Sequence, residues 1–251
     1  MGIKKFLKEF GFEPTINSAI LYKLKSRNIF LKLIFGISRV LGRAPFLMFK
    51  DMFYAEINPR IIELPFLFNN LPKEKGLKIL DFGCAESPIP IQMATMGHFV
   101  TGSDLQKYSF RHKNFRFLRG NFLKTKLPDN YFDVVTAISS VEHCGLGSYG
   151  SPKFSDGDKR ILDEARRILK KGGILILSVP FGKRYKDNFQ RIYDIDALKF
   201  LVSDFKVKKE RFFMREPSLI EWRETSKEIL EKVSHRLDLE PGGVACLICV
   251  K

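Results

Sequence analysis

The spacing of apolar side chains changes character near residue 58. Before it, Ile20, Leu21, Leu24, Ile29, Phe30, Leu33, Ile34, Ile37 and Leu41 recur every three to four positions with basic residues between them. That spacing predicts two or three helices. After it, short apolar runs at Lys78–Asp81, Phe99–Ser103, Phe115–Leu118, Phe132–Ile138, Ile174–Val179, Lys206–Phe213 and Val244–Val250 predict seven strands. Helical segments lie among them. One passes through Arg60-Ile-Ile-Glu-Leu64, and another puts Ile161, Leu162, Ala165, Ile168 and Leu169 on one face, with Gly172 placed to close it. Strands alternating with helices predict an α/β domain whose sheet is mostly parallel and covered on both faces. The expected organisation is a basic helical extension over residues 1–57 and one continuous domain over 58–251.

Charge sharpens the contrast between the two parts. The net charge of the 251 residues is +15, and residues 1–50 hold seven lysines and three arginines against Glu9 and Glu13. A basic helical region of this kind fits three roles: packing on the main domain, contact with an anionic membrane surface, or contact with nucleic acid. Lys32, Arg39 and Arg43 interrupt the best apolar run short of the ~20 residues a membrane span needs. No small-residue cleavage pattern follows a long apolar core. The expected location is cytoplasmic, with peripheral membrane contact through residues 1–50 left open.

The four cysteines read as reduced thiols. Cys246 and Cys249 form a C-x-x-C, but within a strand residues three apart face opposite sides, so no shared metal is expected.

In a parallel sheet, ligands bind beyond the carboxyl ends of the strands, where the strand order reverses. The residues just after each strand therefore carry the candidate chemistry. After the first strand, which ends in Asp81, comes a small-residue turn through Gly83 and Ala85, then Ser87-Pro88, which suits a helix start. After the second comes Asp104, an acid about 20 residues past the glycine turn, placed to accept hydrogen bonds from two ribose hydroxyls. After the third comes Gly120-Asn121-Phe122, where a polar side chain can meet an adenine amine and a ring can lie on its face. After the fourth come Ser139, Glu142 and His143. A dinucleotide fingerprint would want a third glycine near Pro88, which is absent.

These residues, in this order, resemble the S-adenosylmethionine (SAM) site of class I SAM-dependent methyltransferases, over about residues 58–251. The resemblance implies a Rossmann-like seven-stranded sheet, parallel but for an antiparallel last strand, and the helix read over Ser218–Leu237 between the last two strands has the shape of that family's final hairpin. It implies Asp81, Gly83, Ala85, Asp104, Gly120, Asn121, Phe122 and Ser139 as cofactor-binding residues. Within the methyltransferases the chain resembles the DUF268 (methyltransferase type 11-like) group. The shared phrases are Ser140-Val-Glu-His-Cys-Gly-Leu-Gly-Ser-Tyr-Gly150, Asp156-Gly-Asp158, Val179-Pro-Phe-Gly-Lys183 and Arg191-Ile-Tyr193. The family pattern has glycines where this chain has Ala85 and Ser87. A left-handed backbone at Ala85 would cost about 1 kcal/mol.

The function expected is methyl transfer from SAM to a small-molecule or saccharide acceptor, at oxygen. His143 is the candidate base, because imidazole titrates near neutrality, and Glu142 is the second. Tyr149, Arg191 and Tyr193 are candidate acceptor-binding residues, and the glycine-rich segment Cys144–Asp158 suits a loop folding over the acceptor. Asn/Asp-Pro-Pro-aromatic, the mark of methylation at exocyclic base amines, is replaced by Ser139-Ser-Val-Glu. Two alternatives stand beside this reading: an RNA methyltransferase using the basic region, and a SAM-fold binding protein without turnover.

Overall fold

The computed structural model describes residues 59–85, 87–150, 152–215, 222–234 and 242–251. The extension expected over 1–57, with its surface-contact roles, lies outside the described residues.

Alternation of apolar residues along the strands builds two cores, one on each face of a single sheet. The strands are β1 (Lys78–Phe82), β2 (Phe99–Asp104), β3 (Phe115–Arg119), β4 (Phe132–Ile138), β5 (Leu169–Pro180), β8 (Lys206–Arg215), β9 (Trp222–Thr225) and β10 (Gly243–Val250). A two-stranded hairpin, β6 (Tyr185–Lys186) with β7 (Arg191–Ile192), stands apart from it. The main sheet runs β3-β2-β1-β4-β5-β10-β8-β9. Ile79, Val134, Ile176 and Cys246 face helices α1 (Arg60–Asn70) and α2 (Ile89–Thr95), packing on Leu67 and Met93. Their neighbours Leu80, Val135, Leu177 and Leu247 face α3 (Gly157–Ile168) and α4 (Ile195–Leu201), packing on Leu162 and Leu201. Strands β1 to β5 are parallel, and the order reverses between β1 and β4. That is the point where an open α/β sheet leaves a crevice at its carboxyl edge.

Three sequence expectations need correction. Among the described residues the sheet has eight strands, because β9 adds an antiparallel edge beyond β8. The helix expected over Ser218–Leu237 is not formed across its described part. There Trp222–Thr225 pairs with β8 as a strand, and only the single turn α5 (Lys227–Leu230) is helical. Gly172 does not cap α3, which ends at Ile168. Its positive φ of 76° instead forms a bulge where the β4–β5 register shifts. Cys246 and Cys249 lie on opposite faces of β10, one in each core.

Candidate functional site

The crevice is a cleft of about 250 Å³ whose walls include Gly83, Ala85, Asp104, Gly120, Asn121, Phe122, Ser139, Ser140, His143 and Tyr149. Gly83 is forced to be glycine twice over. Its φ is +73°, and a Cβ there would stand 2.4 Å from the Cβ of Ser140. Its N–H donates to the Ser103 carbonyl at 2.9 Å, closing the turn onto β2. Ala85, by contrast, is not among the residues with positive φ, so the missing glycine there costs no backbone strain.

Asp104 closes the same turn from the other side. Its Oδ2 accepts the Ala85 N–H and its Oδ1 the Gln106 N–H, both at 2.8 Å. A carboxylate has about four acceptor sites, so two stay available for a vicinal diol. Gly120, with φ +140° and open space where a Cβ would stand, leads into Asn121. The Asn121 side-chain oxygen caps the 3-10 turn Phe122–Lys124 by accepting the Leu123 N–H at 3.0 Å. Asn121 therefore keeps its NH2 donor and the second lone pair of its oxygen, which suit a ring nitrogen and an exocyclic amine respectively. Phe122 packs at a tilt on Phe82 with ring centroids 5.0 Å apart. Asp81 does not line the cleft. It is buried between β1 and β4, accepts the Thr136 hydroxyl at 2.5 Å, and is pushed up to about 7 by burial.

The opposite wall follows β4. Ser139 sits at φ +43°, a conformation costly for a residue with a side chain and concentrated at functional sites. Its hydroxyl donates to Glu63, which also accepts Ser178 Oγ at 2.7 Å and pairs with Arg60 at 3.1 Å. Ser140 Oγ is buried on this wall without a protein partner, so the cleft presents an unmet hydrogen-bonding group. The 3-10 turn Val141–His143 then carries Glu142 and His143. Burial raises the Glu142 carboxyl to about 8 and holds the His143 imidazole below its ordinary value. The His143 ring meets Tyr149 edge-on at 5.7 Å.

Arg191 and Tyr193, expected to touch an acceptor, are not in the cleft wall. Arg191 is buried, donates to the carbonyls of Glu142, Cys144 and Ser155, and pairs with Asp158 at 3.4 Å. The Tyr193 hydroxyl donates to the same Asp158 at 2.8 Å. Both are held beneath the segment Cys144–Asp158, whose ends are pinned together. Phe154 N–H donates to the Gly145 carbonyl, and a Cβ on Gly145 would stand 2.3 Å from the Phe154 carbonyl oxygen. The expected covering loop is thus anchored at its base, with Tyr149 exposed at its tip.

Sequence reading missed Arg60, Glu63 and Ser178. Arg60 lines the cleft from α1, and its Nη1 also donates to the Ile138 carbonyl at 3.1 Å. The available signal was an Arg and a Glu three apart in an otherwise apolar helix.

Known proteins share the fold. The family DUF268, described as a Caenorhabditis protein of unknown function, matches residues 109–233. Sterol 24-C-methyltransferase ERG6B of Gibberella zeae is 30% identical over 146 residues, which are 53% of this chain and 34% of that protein. The chain therefore spans about a third of the length of this curated relative. A SAM-dependent methyltransferase from Archaeoglobus fulgidus superposes with a TM-score of 0.54 at 17% identity, covering 82% of this chain and 99% of that one. A 1,6-didemethyltoxoflavin-N1-methyltransferase from Burkholderia thailandensis, solved with S-adenosylhomocysteine, gives 0.50 at 13% identity, covering 96% and 92%.

Proposed function

From a chain that carries the fold of the SAM-dependent methyltransferases, we propose an enzyme that transfers the methyl of SAM to an oxygen of a small-molecule or saccharide acceptor. The observation that carries the reading is the pairing of two walls in one cleft: Asp104 and the Gly83 turn on one side, His143 on the other. When bound, SAM supplies a methyl already activated on a sulfonium. The chain's own work is then to position and to move a proton.

Asp104 would hold the ribose diol, Asn121 and Phe122 the adenine, and Arg60 with Ser139 and Ser140 the amino-acid end. The buried, unpartnered Ser140 hydroxyl and the free lone pairs of Asp104 fit such a ligand. Tyr149, at the exposed tip of the pinned loop, would meet the acceptor, while Arg191 and Tyr193 hold that loop in place. His143 would take the proton of an acceptor hydroxyl.

Calorimetry with SAM and S-adenosylhomocysteine on the full chain tests the reading. Binding by the wild type, weakened in Asp104→Ala, supports it; no binding by the wild type overturns it. The net charge of +15 favours RNA as the second acceptor class. A steeply salt-dependent gel shift with tRNA fragments, together with methyl incorporation into them, would select it.

A further inference from the structure

The hairpin β6–β7 reaches the cleft without lining it. Its turn, Asp187–Gln190, is organised around one side chain: Asp187 Oδ1 accepts the N–H groups of Phe189 and Gln190, both at 2.7 Å. The Asp187 N–H donates to the Gln190 carbonyl at 3.1 Å, closing the turn. Arg191 begins the return strand and is buried under the loop Cys144–Asp158, so the foot of the hairpin is fixed. With both N–H groups directed at Asp187, the Phe189 carbonyl faces away and lies 2.6 Å from Nδ1 of His143. The Phe189 ring flanks the imidazole, with centroids 4.6 Å apart.

A carbonyl oxygen can only accept, so Nδ1 must carry the hydrogen, and in a neutral imidazole Nε2 then holds the lone pair. We infer that Asp187 is a positioning residue which, through the Phe189 carbonyl, fixes His143 in the tautomer whose Nε2 accepts the acceptor's proton. The proton-accepting role rests on the methyl-transfer reading; the tautomer does not. As the acceptor oxygen bonds the methyl carbon, its proton passes to Nε2, and the C–S electron pair stays on the departing sulfur, which becomes a neutral thioether.

The surroundings of His143 agree. Glu142 from its own turn stands 3.7 Å from Nε2, beyond hydrogen-bond reach. Burial favours the neutral ring and prevails, with Arg191 from β7 on its side, over the Phe189 carbonyl and Asp187, which favour the imidazolium.

The test uses the full chain labelled with nitrogen-15 at its histidines, His98, His112, His143 and His235, without any donor added. His143→Gln identifies the His143 signals. Expected at pH 7.5 is a protonated Nδ1 and an unprotonated Nε2. Asp187→Asn, which keeps the accepting oxygen, should retain this tautomer. Asp187→Ala should give a mixture of the two tautomers, and should lower kcat at least severalfold and move the acid limb of the pH–rate profile while the SAM Kd stays the same. A hydrogen on Nε2 in the wild type, or wild-type signals in Asp187→Ala, overturns the inference. Failure of the wild type to bind SAM overturns the proton-accepting role, and the nitrogen spectra then still decide the tautomer.

Discussion

The carboxylate of Asp104 accepts the backbone N–H of Ala85 at 2.8 Å, tying the end of β2 to the turn that follows β1. One side chain thus shapes the turn and presents an acceptor to the cleft. Asp104→Ala removes both roles, and losing charge-assisted hydrogen bonds should weaken SAM binding about 10- to 100-fold by calorimetry. Asp104→Asn keeps one oxygen, so its loss should be smaller than that of Asp104→Ala.

Arg191 and Tyr193 meet at Asp158 beneath the loop Cys144–Asp158. Arg191→Ala leaves a buried carboxylate without its cation and three carbonyls without their donor. It should destabilise the fold by about 3–5 kcal/mol in urea unfolding. Tyr193→Phe removes one hydrogen bond to that carboxylate and should cost about 1.5–3 kcal/mol. Neither residue lines the cleft, so Tyr193→Phe should leave the acceptor KM within twofold of wild type. A large KM increase with unchanged stability would restore them to the acceptor site.

These two residues also mark how far the sequence could be read. Asp104, Gly120 and Asn121 were legible because strand ends in a parallel sheet all open on one crevice, so position along the chain translates directly into position in space. Arg191 and Tyr193 also follow a strand, but the chain between β5 and α4 folds into its own hairpin and turns them inward. Nothing in the local pattern carries that reversal. Arg60 and Glu63 were missed for a related reason, since α1 joins the cleft only through packing across the β4 and β5 ends. The phrases shared with the DUF268 group fall largely on this hidden framework: Gly145, Gly157, Asp158, Arg191 and Tyr193 all hold one loop.

Burial raises two carboxyls, Glu142 to about 8 and Asp81 to about 7. Each binds its proton more tightly in the folded chain than in the unfolded one. Their stabilisation is therefore complete below the unfolded values of 4.5 and 3.8, and is lost as pH rises through the folded ones. Across pH 5 to 7, each should lower stability by roughly 1 kcal/mol per pH unit. Urea unfolding at pH 5, 6, 7 and 8 checks this. Glu142→Gln should flatten the profile, most visibly between pH 7 and 8, where Asp81 has already titrated. A wild-type profile that rises over this range would contradict both assignments.

Glu63 pairs with Arg60, which lines the cleft, and the same carboxylate takes the hydroxyls of Ser139 and Ser178. Glu63 therefore joins three elements, α1, the end of β4 and β5, at the one place where Ser139 is kept at positive φ. Glu63→Ala should destabilise the fold by about 1–3 kcal/mol, since the hydroxyls of Ser139 and Ser178 lose their shared acceptor. Ser139→Ala should cost about 1 kcal/mol. Because both changes remove the same hydrogen bond, the double variant should cost less than their sum, by about 0.5–1 kcal/mol. Strict additivity in that cycle would mean that Glu63 does not hold Ser139. This wall of the cleft would then owe its shape to the β4–β5 pairing, where the Ser139 N–H donates to the Ser178 carbonyl at 3.1 Å.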